Sequence, residues 1–190
     1  MKGRSAALLT LTAVLLAGCA GKITVPAGST AQAFSRDHYD PALLSQALFE
    51  ETNRVRASHD VPPLGHIAKL DEAADLQAFH MALMFVSEHG NPISGEANAG
   101  ERALHAGVSW SSYSENVLME PAQPARGGSE DDSTYSAFAR YLVDCWMGSP
   151  PHRAHLLDPT LTDMGSSARF AHSVFGYPMV FASQVFIIRP

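Results

Sequence analysis

Cysteine and charge are both scarce in this 190-residue sequence. Its two cysteines, Cys19 and Cys145, are too few for a fold that depends on several disulfides. Cys145 falls on an apolar helical face, where we expect it to be a small buried hydrophobic residue. The formal net charge is -6 and no basic patch with interleaved aromatic residues occurs, so nucleic acid is not an expected partner. Hydrophobic residues make up 46% of the chain, which supports a packed core and argues against global disorder.

Long apolar runs are missing except for residues 5–18, a stretch too short to span a bilayer comfortably. Lys2 and Arg4 precede this run, and small residues followed by Cys19 end it. The pattern predicts a signal peptide over residues 1–18. The ending "LAGC" resembles the lipobox of bacterial lipoproteins, which implies cleavage before Cys19, a thioether lipid on its sulfur and an acyl chain such as palmitate on its amine. The alternative is an ordinary secreted protein with a chance cysteine.

The predicted lipid on Cys19 makes the membrane an expected partner, because several acyl chains anchor a protein stably where one binds marginally. Ala20 follows Cys19, and by the same resemblance this favours the outer membrane. Residues 19–39 are small and polar with proline and glycine, a composition that predicts a tether. Residues 40–190 are then expected to form one domain.

Helical patterns dominate the first part of this domain and strand patterns its end. Asp40 followed by Pro41 predicts the start of the first helix, and Asn98 with Glu101 resembles a capping box that opens a short one. Further predicted helices cover residues 70–86, 99–107 and 133–147, and predicted strands cover 114–119, 164–170 and 179–188. This order predicts an α+β fold in which helices cover an antiparallel sheet.

Several short motifs follow one another in an order typical of one family. They are "NRVRASHDVPPL" at 53–64, "SEHG" at 87–90, "SEN" at 114–116, "WMGSPPHRAHLLDP" at 146–159 and "SQVF" at 183–186. The series resembles the CAP superfamily, also called the SCP domain, in its bacterial branch. This superfamily includes cysteine-rich secretory proteins, venom antigens and plant pathogenesis-related proteins. The resemblance covers residues 42–188 and implies an α-β-α sandwich with a surface cavity.

In many members of that family the cavity holds two histidines and two acidic residues. Matched motif by motif, the resemblance assigns His89, Glu115 and His152 to it, while Ser149 stands where the second acidic residue is usual. Two imidazoles and one carboxylate can bind a divalent metal, with zinc favoured and water in an open position. The alternative is a structural cluster in which Glu115 accepts hydrogen bonds from both imidazoles. His155, three residues after His152, is a further candidate for the cleft.

Two classes of function are compatible with these residues. The first is a binding module of the cell envelope whose ligand is a lipid, a cell-wall fragment or another envelope protein. The second is a metal-dependent, peptidase-like hydrolase in which Glu115 acts as general base on a metal-bound water and His89 and His152 are the other catalytic candidates. The sequence lacks a nucleophile-elbow glycine pattern and a Ser-His-Asp order, which argues against a serine hydrolase.

Overall fold

The computed structural model describes residues 28–92, 96–122 and 134–190, which form five α-helices and one four-stranded sheet. The helices are α1 (Pro41–Ser58), α2 (Ala68–Met84), α3 (Ala99–His105), α4 (Tyr135–Gly148) and α5 (Pro150–Leu156). The strands are β1 (Gly65–His66), β2 (Ser112–Pro121), β3 (Asp163–His172) and β4 (Pro178–Ile188). Within these described residues, no helix combines the length and the apolar character needed to cross a bilayer.

The helix starts follow the capping residues in the sequence. Asp40 caps α1, because its side chain accepts hydrogen bonds from the amides of Ala42 (2.9 Å) and Leu43 (3.2 Å), with Pro41 in the first helical position. Asn98 caps α3 by accepting from the Glu101 amide at 3.0 Å. These contacts confirm both predicted starts. The two prolines that follow α4 do not merely end it, since they open the short helix α5.

The strands form a mixed sheet in the order β1-β3-β4-β2. The antiparallel pairing predicted for the late strands is confirmed, because β4 pairs antiparallel with both β2 and β3. The two-residue strand β1 is the exception and pairs parallel with β3, so the expectation of a purely antiparallel sheet is wrong at this edge. A two-residue strand carries no alternating pattern from which the sequence could have predicted it. At the opposite edge lies β2, which positions the candidate site.

Helices cover both faces of the sheet, which confirms the α-β-α sandwich. Helices α1 and α4 pack on one face, where Leu48 and Leu142 share a buried cluster with Leu118 and Phe186. Helices α2 and α3 pack on the other face against Val185 and its neighbours. Because side chains alternate along a strand, consecutive residues of β2 point into different layers of the sandwich.

The segment before α1 packs on the domain, which corrects part of the predicted tether over residues 19–39. The Phe34 ring stacks on Phe138 with centroids 4.4 Å apart, and Ser136 donates its amide to the Thr30 carbonyl at 2.9 Å. Aromatic burial therefore overrides the polar composition that predicted a free linker. The predicted signal peptide over residues 1–18, Cys19 and the first part of the tether lie outside the described residues.

Candidate functional site

The Glu115 carboxylate is the centre of the candidate site. It lies on β2, the side chain is only 4% exposed, and both of its oxygens have partners. Oε1 accepts from Arg102 Nη2 at 2.5 Å and from the Ser183 hydroxyl at 2.9 Å, while Oε2 lies 3.0 Å from His89 Nδ1. Arg102, on α3, is completely buried. A buried carboxylate is thus balanced by a buried guanidinium and held by hydrogen bonds on both oxygens.

The loop that carries His89 is fastened to α2. Gln77 is buried and donates its side-chain amide to the carbonyls of Glu88 (2.5 Å) and Gly90 (3.2 Å). His80, to which the sequence assigns no role, is also buried, and its Nε2 lies 2.8 Å from Glu88 Oε1. Helix α2 therefore fixes the main chain on either side of His89, which sets where its ring can reach.

The Glu115 hydrogen bond raises the pKa of His89 above its usual value, against the opposing effects of partial burial and of the Arg102 charge. The ring is 58% exposed, so the charge that it gains is available at the surface. Nδ1 is used by Glu115, and Nε2 makes no hydrogen bond to the described residues. His89 consequently offers Nε2 to a ligand while Glu115 sets the orientation of the ring.

His152 lies in the first turn of α5, directly after Pro150 and Pro151. Partial burial, followed by the charges of His89 and His155, lowers the pKa of its imidazole. The charge of His89 thus disfavours protonation of His152, although no hydrogen bond joins the two rings in the described part of the chain. His152 is therefore the neutral member of the pair near neutral pH, whereas His89 is the one that holds a proton more readily.

Asn116, next to Glu115, holds α5 from the other side of the strand. Its side-chain amide donates to the main-chain carbonyl of His152 at 3.1 Å, and its Oδ1 lies 2.9 Å from His155 Nδ1. Asn116 is fully buried beside Gln184, which donates to the Thr52 hydroxyl at 2.8 Å. Edge strand β2 thus positions both histidines, with Glu115 binding His89 in one layer and Asn116 binding the α5 main chain in the other.

The family resemblance assigns His89, Glu115 and His152 to one cleft, and the alternative of a structural cluster has Glu115 bonded to both imidazoles. In the described structure, Glu115 is hydrogen-bonded to the imidazole of His89 only. The main chain of His152 is bonded instead to Asn116, the residue after Glu115 in the motif "SEN", to which the sequence pattern assigns no role. Arg102 was missed altogether. The available signal was its position between Ala99 and Ala103, two buried residues of α3, because a charged residue on an apolar helix face needs a buried partner.

The residues of the cleft fit a divalent metal only in part. No group of three or more His, Cys, Asp or Glu side chains in the described part of the chain has an arrangement that could hold a metal ion. Glu115 does not fit as a direct ligand, since its oxygens are taken by Arg102, Ser183 and His89. The imidazoles of His89 and His152 fit as nitrogen donors, and Glu115 would then orient His89 from behind, an arrangement common around metal-binding histidines.

The fold is that of a CAP domain. The model of the cysteine-rich secretory protein family (CAP) matches residues 49–174, and the chain belongs to this family. No match was found among proteins of curated function.

Solved bacterial structures share the fold. An extracellular SCP-domain protein from Bacillus anthracis matches with a TM-score of 0.58 and 21% identity, over 78% of this chain and 41% of that one. An outer surface protein from Borrelia burgdorferi matches with a TM-score of 0.54 and 15% identity, over 76% of this chain and 92% of that one. The chain thus spans less than half the length of the Bacillus protein, and these likenesses show the fold alone.

Proposed function

We propose that this protein is an exported, lipid-anchored CAP domain of the bacterial envelope that works as a binding module. The charged start, short apolar run and lipobox-like end at Cys19 support export and lipidation. Ala20 supports the outer membrane as the destination. The Bacillus and Borrelia proteins that share the fold are themselves described as extracellular and as an outer surface protein.

One observation supports binding over catalysis: both carboxylate oxygens of Glu115 are held by protein side chains. A general base must reach the proton that it abstracts with a free lone pair in a productive direction. Glu115 is buried and bonded to Arg102, Ser183 and His89, and the hydrolase alternative would require these bonds to be released. In the binding module, Glu115 and Arg102 are positioning residues that keep His89 in place.

The two histidines suit a polar ligand that carries an anionic or oxygen-rich group. His89 holds a proton more readily than a free histidine, while the lowered pKa of His152 leaves a neutral ring that can accept as well as donate. A cell-wall fragment or an envelope protein has such groups. Zinc would use the same nitrogens, and it would have to displace the proton of His89, so its affinity should rise with pH.

Zinc titration by calorimetry tests whether these nitrogens form one binding site. Because the described residues of the cleft offer only two nitrogens as ligands, we expect weak one-to-one binding that is lost in both His89→Ala and His152→Ala. His105→Ala is the matched control, because His105 is also an exposed histidine paired with a carboxylate, that of Glu96 at 2.9 Å. Binding that survives in either cleft variant, or its absence from the unsubstituted protein, would contradict a shared zinc-binding cleft.

Two further experiments separate the remaining parts of the proposal. Fatty-acid labelling and membrane fractionation of Cys19→Ala should show loss of the label, whereas an unlabelled unsubstituted protein would refute the lipid anchor. A peptidase and esterase screen of the unsubstituted protein beside Glu115→Gln tests the hydrolase alternative. Turnover that disappears in Glu115→Gln, with fold and zinc binding intact, would favour the enzyme over the binding module.

A further inference from the structure

The tip of the β3–β4 hairpin exposes large hydrophobic side chains. Val174 is 95% exposed, Phe175 83% and Tyr177 67%. Two hydrogen bonds hold the turn: Ser173 donates its amide to the Tyr177 carbonyl at 2.8 Å, and Gly176 donates its amide to the Ser173 carbonyl at 2.8 Å. Gly176 has a positive φ of 79°, which glycine adopts readily. The exposure is therefore built into a hydrogen-bonded turn, and residues 173–178 contain no charge.

The end of α2 extends this apolar surface. Leu83 is 59% exposed and Met84 54%. The next residue, Phe85, lines an apolar cavity of about 340 Å³ together with Phe175, Tyr177 and other residues of the hairpin. Soluble proteins rarely expose a contiguous apolar surface of this kind unless something binds there.

The N-terminal segment first contacts α1 and α4, where Thr30 donates its hydroxyl to Glu50 at 2.8 Å and its carbonyl accepts from the Ser136 amide at 2.9 Å. It passes the hairpin end of the domain only just before α1. Arg36 and Asp37 line a groove together with Leu83 and with His172 and Pro178, the residues at the base of the hairpin. Eight residues lie between Cys19 and Gly28, where the described chain begins. Even fully extended, this stretch spans at most about 30 Å.

A lipid on Cys19 would therefore keep the start of the described chain within about 30 Å of the bilayer, so that the apolar hairpin end can reach the bilayer surface. We infer that the tip formed by Val174, Phe175 and Tyr177 inserts into the surface of the bilayer that holds the anchor, an inference that rests on the proposed lipidation of Cys19. Aromatic and aliphatic side chains favour the membrane interface, and tyrosine can keep its hydroxyl among the headgroups.

This docking determines which way the cleft faces relative to the bilayer. On β2, Glu115 lies six residues before Pro121, which pairs with Met179 beside the hairpin. At about 3.4 Å per residue, the site lies about 20 Å from the docked end along the strand. The domain would thus stand on its hairpin, and the cleft with His89 and His152 would take its ligand from the aqueous side rather than from the bilayer.

Fluorescence quenching by brominated lipids tests this orientation. The mature lipidated protein is reconstituted into vesicles of phosphatidylethanolamine and phosphatidylglycerol with bromine on the acyl chains. Phe175→Trp places a reporter at the tip, and the signal of Trp110 and Trp146 is subtracted with the unsubstituted protein. Leu104→Trp is the matched control, because Leu104 is 52% exposed on α3, the helix that packs near the opposite end of the sheet.

We expect a blue shift and loss of most of the added fluorescence for Phe175→Trp, and no quenching for Leu104→Trp. Vesicle flotation and circular dichroism confirm that both variants are anchored and folded. Anchored protein with no quenching of Phe175→Trp would overturn the docking while leaving the lipid anchor intact. Quenching of both reporters would overturn the upright orientation.

Two other results would also overturn the inference. Failure of the unsubstituted protein to float with vesicles would refute the lipid anchor and the docking together. A Phe175→Trp reporter that is blue-shifted without bromine quenching, in protein that crosslinks as a dimer, would show that a second copy of the chain covers the tip.

Discussion

Replacing Arg102 by methionine should destabilise the protein strongly, because it would leave the Glu115 carboxylate buried without its counter-charge. Arg102 is fully buried and donates to Glu115 at 2.5 Å, and the Glu115 side chain is 4% exposed. Removing one partner of such a pair costs about 3–5 kcal/mol. That is a large part of the stability of an ordinary domain, about 5–15 kcal/mol. The free energy of unfolding in urea measures it directly.

The matched control is Lys69→Met, which removes an exposed partner of Glu72 at 3.0 Å, where the two side chains are 58% and 60% exposed. We expect a change below about 0.5 kcal/mol for this variant. Adding Glu115→Gln to Arg102→Met should recover part of the loss, since it removes the stranded charge. A cost below about 1 kcal/mol for Arg102→Met, or no recovery in the double variant, would refute the reasoning.

Further predictions concern the N-terminal segment, the loop at the site, the free thiol and pH. Phe34→Ala should lower the unfolding free energy by about 2 kcal/mol, because the ring packs on the core. An unchanged unfolding free energy would instead favour a tether that does not pack on the domain. Gln77→Leu should speed amide hydrogen exchange in the loop that carries His89 while leaving global stability less affected. Cys145 should react more slowly with a disulfide reagent than free cysteine does, because burial raises its thiol pKa. Because the pKa of His89 is raised in the folded protein, its pairing with Glu115 should stabilise the fold below about pH 6.5, and this stabilisation should be lost as the pH rises through the folded pKa. Urea titrations at several pH values should show that Glu115→Gln removes this pH dependence.

Local signals in the sequence were sufficient for most of the fold. Caps at Asp40 and Asn98 and the two late strand patterns predicted elements that the structure confirms. What failed was set by long-range packing. The aromatic ring of Phe34 buries itself against a helix 104 residues further along the chain, and the parallel strand β1 exists only because β3 pairs with it.

The candidate site was predicted unevenly for the same reason. His89 and Glu115 were assigned to one cleft through motif order, and a hydrogen bond joins them in the structure. The alternation of side chains along a strand sends Glu115 and Asn116 into different layers, and only the pairing of β2 shows which helix each contacts. Arg102 stands 13 residues from its partner, and nothing in local periodicity links them.

The most direct test of the shared cleft is an NMR titration of the histidine rings in the unsubstituted protein, Glu115→Gln and His89→Ala. We expect the pKa of His89 to lie above the usual value of about 6.5 and that of His152 to lie below it. Glu115→Gln should lower the pKa of His89, and His89→Ala should raise the pKa of His152. A His152 ring that titrates identically with and without His89 would contradict the claim that the two histidines form one site.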